Sequence, residues 1–113
     1  MRIIRDKVHH KELAAGRWQQ LTLIEQKANI GSEVHRMISW QERNAEYSRT
    51  AFERALELLD LTLADPKNRR RLREICRVRE ALVDFTLDNE YSTTPESWEK
   101  YFFAFNYAAR LGR

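Results

Sequence analysis

Between Trp18 and Trp40 the apolar residues Trp18, Leu21, Leu23, Ile24, Ile30, Val34, Met37, Ile38 and Trp40 recur at spacings of three and four. An α-helix gathers those spacings on one face, whereas a half-buried strand needs strict alternation. The segment can therefore hide its apolar atoms only as a long amphipathic helix, and everything after it has to supply the surface that covers it. The same period returns three times. Phe52, Ala55, Leu56, Leu59 and Leu63 form one stripe, widened by Ala51 and Leu58. Leu72, Ile75, Cys76, Leu82 and Val83 form another, and Trp98, Tyr101, Phe102, Phe105, Ala108 and Ala109 the last. Nothing reads as a strand pair, and three glycines and two prolines are too few for a strand-and-turn fold.

The punctuation agrees with the period. Asn44 breaks the first pattern and is expected as a left-handed turn residue. Asp65 and Thr94 are helix-capping types, each followed by a proline suited to a first helical position. The spacing predicts helices over about 17–43, 45–64, 66–87 and 95–111, forming one domain at 17–113 after an N-terminal extension at 1–16. In that extension Ile3, Ile4, Val8 and Leu13 are available for docking. Short connections favour antiparallel neighbours, so the expected fold is all-α, an antiparallel four-helix bundle. Gly31 interrupts the first apolar stripe at a cost of about 1 kcal/mol relative to alanine, and close approach of a partner helix would explain it. Trp40, Phe103 and Tyr107 fall off the main stripes, at the bundle edge or at a subunit interface, where aromatics are enriched.

A single cysteine, Cys76, excludes an internal disulfide and points to a reducing, cytoplasmic compartment. No apolar run approaches the ~18 residues of a membrane span, so no membrane partner is expected. The N-terminus has no apolar h-region of a signal peptide.

The charge distribution is uneven. Residues 66–80 hold seven Lys/Arg against two Glu, a local +5 in a chain of net +3. Arginine outnumbers lysine fifteen to five, and arginine grips phosphate and carboxylate with a two-toothed fork that lysine lacks. On a continuous helix Arg69, Arg73 and Arg77 align, with Arg70 beside them and Arg71 turned elsewhere. These four, Arg69, Arg70, Arg73 and Arg77, are the candidate contacts to RNA or DNA. The alternative is a solvated face paired locally with Glu74 and Glu80. Their place in the N-terminal half of a helix is unfavourable by a few tenths of a kcal/mol, a hint that the charge is kept for another purpose. Arg79 falls on the apolar stripe. A buried arginine must be paired, and Glu33 is the expected partner, with Glu25, Glu57 and Asp60 also in reach.

Catalytic chemistry finds little support. Glu33 and His35 are two residues apart, which turns them about 200° from each other on a helix. Carboxylate-bridged metal bundles use a spacing of three, so no metal site is expected, and no cofactor either. Cys76 reads as a small core residue. One pattern matches by letter: Arg5 and His10 have the Arg-x-x-x-x-His spacing of the HEPN ribonucleases, metal-free RNA-cleaving helical proteins, although there the motif lies late in the domain.

The stretch "NIGSEV", Asn29 to Val34, followed by "FERALEL", Phe52 to Leu58, resembles the small four-helix-bundle proteins of ribosomal-RNA intervening sequences and the accessory proteins of diversity-generating retroelements. The overlap covers about residues 20–65. The resemblance implies an oligomeric, non-catalytic, basic helical bundle; the retroelement members bind nucleic acid and a reverse transcriptase. The N-terminal extension and the arginines on the third helix depart from that pattern. The sequence thus points to a homo-oligomeric binding or scaffold protein that contacts nucleic acid through its third helix. The alternatives are a HEPN-like ribonuclease using Arg5 and His10, and an adaptor that grips a protein partner with Trp98 and Tyr101.

Overall fold

A computed structural model describes residues 16–112. The N-terminal candidates, Ile3, Ile4, Arg5, Val8, His9, His10 and Leu13, lie outside the described residues. The four expected helices are present: α1 at Leu23–Trp40, α2 at Ala45–Ala64, α3 at Leu72–Thr86 and α4 at Pro95–Leu111. Short 3-10 segments at Arg17–Gln20 and Pro66–Arg71 precede α1 and α3. The protein is an all-α antiparallel four-helix bundle. No described helix is long and apolar enough to cross a membrane.

Two starts differ from the spacing. The helix expected from residue 17 begins at Leu23, because Thr22 and Glu25 form a reciprocal capping box. The Glu25 N–H donates to Thr22 Oγ1 at 3.1 Å and the Thr22 N–H donates to Glu25 Oε1 at 2.9 Å. The third helix is split, its first six residues winding as 3-10 before α3 proper. Asn44 is extended rather than left-handed, and its Oδ1 caps α2 by accepting from the N–H groups of Glu46 and Tyr47. Among the described residues the non-glycine left-handed positions lie instead at Asn89 and Ser92, in the loop before α4. There the Asp84 carboxylate accepts from the N–H groups of Glu90 and Tyr91, and Thr94 caps α4 as expected.

α1 is the central helix, packed along both α2 and α4, while α3 rests on α2. The core joins Trp18, Ile30, Val34, Met37, Leu58, Ile75, Leu82 and Phe102. Gly31 marks the tightest approach, against Phe102 of α4. α3 contributes only Ile75 and Leu82 as fully buried residues. Its seam is so narrow that Cys76, one position round from Ile75, is exposed rather than in the core.

A buried polar cluster fixes where α3 starts. Gln26, Thr62, Asp65 and Asn68 are all buried at the junction of α1, α2 and the second 3-10 segment. The Gln26 amide donates to the Trp18 carbonyl and to Asp65 Oδ2, and its oxygen accepts from Asn68 Nδ2. Asn68 also donates to the Thr62 carbonyl, and the Trp18 indole donates to Thr62 Oγ1. Every member is paired, so the cluster specifies one geometry instead of leaving orphaned polar atoms. It places the arginine run directly beyond Asn68.

Candidate functional site

α3 and α4 stand apart over part of their length, and a groove of about 570 Å³ runs between them. Arg70, Arg71, Arg73 and Arg77 line it, all of them exposed, and so form its rim. Val78, Ala81 and Tyr101 are half-buried and Trp98 is buried, so these four form an apolar floor. Thr93 and Ser97 line the side toward the start of α4.

The 3-10 segment decides which arginines reach the groove. A 3-10 turn advances about 120° per residue against 100° for α-helix, so positions 69 to 71 rotate ahead of the α-helical register. Arg69 consequently does not line the groove, and Arg71, expected to turn away, does. Arg70, Arg73 and Arg77 are brought together as the spacing implies. Among the described residues none of Arg69, Arg70, Arg73 and Arg77 forms an ion pair. Arg71 approaches Glu74 at 3.9 Å.

Among the described residues Glu74 is the one acidic residue lining the groove, and it is already engaged. Its Oε2 is paired with the ammonium of Lys27, a lysine of α1 that is only 6% exposed, and accepts from the Tyr101 hydroxyl at 3.3 Å. Lys27 also lies 4.4 Å from the Phe105 ring centroid, a favourable cation–π position. The Lys27 hydrogen bond outweighs desolvation and holds the Glu74 carboxyl below its ordinary range. Burial, reinforced by Glu74, pushes the Tyr101 hydroxyl well above its own. Glu74 is thus a carboxylate neutralised from inside, and the arginine rim keeps its positive charge. The sequence pattern does not single out Lys27, although it carries a signal for it: the residue sits four after Leu23 and three before Ile30, a cation on an apolar stripe.

The expected Arg79–Glu33 pair is not formed. Arg79 Nε donates to Asp60 Oδ1 at 2.8 Å, and Glu33 meets Arg36 of its own helix at 3.2 Å. Asp60 lies on α2, the helix against which α3 rests. The Arg79 side chain is 33% exposed, so the long guanidinium reaches the surface from a stripe position and escapes the cost of burial. Glu33 turns into the core while His35 faces α4, its Nδ1 2.8 Å from Glu99 Oε2. Among the described residues no three His, Cys, Asp or Glu are grouped as metal ligands.

The aromatics of α4 also sort differently from the adaptor expectation. Trp98 is 5% exposed and its indole N–H donates to Thr93 Oγ1, so it braces the groove from below. The exposed aromatics are Phe103 and Tyr107, stacked at 6.2 Å between centroids, with Leu111 one turn on. Trp40 is half-buried, with Tyr47 edge-on at 5.1 Å and the Arg43 guanidinium over its ring.

A scan against protein-family models finds no match, and searches of curated proteins and of solved structures likewise find none.

Proposed function

We propose that the protein is a non-enzymatic binding or scaffold module that holds nucleic acid against the rim of the α3–α4 groove, with Arg70, Arg73 and Arg77 as its phosphate contacts. The observation that carries this reading is their pairing state. These three arginines are exposed, converge on one recess and have no carboxylate partner among the described residues, while Glu74, the one described glutamate lining that recess, is neutralised by Lys27. The positive end of the α3 dipole adds to the same field. Unpaired guanidinium forks at helical spacing suit an anionic backbone. The resemblance of Asn29–Val34 and Phe52–Leu58 to the bundle proteins of ribosomal intervening sequences and retroelements points the same way. The exposed stack of Phe103 and Tyr107 supports self-association of the bundle through α4; light scattering of a Phe103→Ser/Tyr107→Ser variant tests it, a loss of oligomer being expected.

Binding to labelled RNA and DNA across a salt series tests the main reading. Affinity should fall linearly in log–log salt, and an Arg70/Arg73/Arg77→Gln variant should show a slope shallower by roughly one unit per lost phosphate contact. Absence of binding at low salt, or an unchanged slope in the variant, refutes it. Cleavage of the RNA would instead favour the ribonuclease alternative through Arg5 and His10.

A further inference from the structure

We infer that the α3–α4 groove takes a single strand, with an unpaired base lying on the Ala81–Trp98–Tyr101 floor while Arg73 and Arg77 hold the flanking phosphates. This deepens the nucleic-acid reading above and rests on it. A duplex offers its outer surface as sugar and phosphate and keeps its base faces stacked inside, so an apolar floor would find nothing to cover it. An unpaired base offers a flat apolar face with a negative charge beside it, which is the pairing of surfaces the groove presents. The volume, about 570 Å³, is that of a site for one small ligand, the scale of a nucleotide or two and not of a double helix. Arg73 and Arg77 stand one helical turn apart, about 6 Å along the axis, on the same side of that floor. One flat apolar surface per few charges is the repeat of a nucleotide chain more than of an acidic peptide, whose carboxylates come on flexible stems.

The polar atoms around the floor add a specificity consequence. The Trp98 indole N–H is given to Thr93, the Tyr101 hydroxyl to Glu74, and the Ser97 hydroxyl to the Thr94 carbonyl. With these donors satisfied internally, the floor has little with which to read a base edge. The groove should accept any base and discriminate strandedness instead of sequence.

The test uses the whole chain and labelled oligonucleotides of about twelve nucleotides, within the usual footprint of such sites. The set comprises single strands of differing base composition, the matching duplex and an abasic strand of equal charge. Single strands should bind alike, and roughly fivefold or more tighter than either the duplex or the abasic strand, the lower end of a single base-stacking contact. Ala81→Phe, which fills the floor, should bring single-strand affinity down to the duplex level without changing the salt slope. If that variant does not fold, as read by circular dichroism, the abasic and duplex comparisons decide alone. Equal binding of single, double and abasic strands overturns the inference, while loss of binding in the Arg70/Arg73/Arg77→Gln variant would leave the broader reading standing. Tighter binding of a labelled poly-glutamate peptide than of any oligonucleotide, or no binding of any probe, overturns both.

Discussion

Gly31→Ala puts the helix-packing account under direct strain. A Cβ at position 31 would lie 2.7 Å from Phe102 Cβ and 2.9 Å from its Cγ. Carbon pairs settle at about 3.5–4.0 Å, so close to 1 Å has to be found. The nearest obstacle is a Cβ, fixed to the α4 backbone, so turning the Phe102 ring gives no relief and the two helices must part. Phe102 is 3% exposed and stacked on Trp98, which resists its retreat. Overpacking of this kind costs about 1–3 kcal/mol. Removing a glycine from a helix interior returns at most about 1 kcal/mol. The clash wins, for a net loss of about 1–2 kcal/mol and not more than about 3. Urea unfolding should show a lower midpoint with an unchanged slope. Ser32→Ala, one residue away and exposed, samples the helix-forming gain without the clash and should be neutral or slightly stabilising. If Gly31→Ala proves as stable as Ser32→Ala, α4 does not approach α1 at this point. The part of the groove floor that α4 supplies, Trp98 and Tyr101, would then be misplaced as well.

Other perturbations reach other parts of the same structure. Gln26→Leu deprives Trp18, Asp65 and Asn68 of a buried partner at once and should cost about 2–4 kcal/mol in denaturant unfolding; a loss under about 1 kcal/mol would mean the cluster is not closed. Stability should fall in acid. Burial works against the Asp65 charge, but hydrogen bonds from Lys67 and Gln26 outweigh it, and Lys27 does the same for Glu74, so both folded carboxyls lie below their ordinary values of 3.8 and 4.5. Their stabilisation is complete above those unfolded values and is lost as pH falls through the folded ones. Urea midpoints should hold steady from neutral pH to about pH 5 and drop below about pH 4, less steeply in an Asp65→Asn/Glu74→Gln variant. Arg79→Met should change stability by less than about 1 kcal/mol, since the Arg79–Asp60 pair is open to water; a loss of about 3–5 kcal/mol would restore the buried pair.

What the sequence discloses and what it withholds follow one physical line. Spacing reports which face of a helix is apolar, and caps report where helices end, so α2 and α4 are legible to the residue, and the spacing of Arg73 and Arg77 already puts them on the one helix face that borders the groove. The Thr22–Glu25 box was also readable, as a hydroxyl residue followed three later by glutamate, and would have moved the start of α1 from residue 17 to 23. The winding of residues 66–71 was not readable in this way. It depends on Asn68 being held by Gln26 and Thr62, a contact across 42 and 6 residues, and it exchanges Arg69 for Arg71 at the groove. Nor does an apolar stripe state how closely it will be covered. α3 carries five apolar stripe residues yet fully buries only Ile75 and Leu82, leaving Leu72 and Cys76 exposed. That shallow seating is what keeps α3 off α4 and leaves Val78, Ala81 and Tyr101 as a half-covered floor. A tighter α3 would make a better bundle and abolish the groove. The long charged side chains on its outer face fit the open arrangement, because arginine stems can shelter apolar surface while their heads stay in water. The weakness of α3 as a core helix and the candidate site are therefore the same feature, and substitutions that deepen its seam, such as Ala81→Leu, should stabilise the fold at the expense of whatever the groove holds.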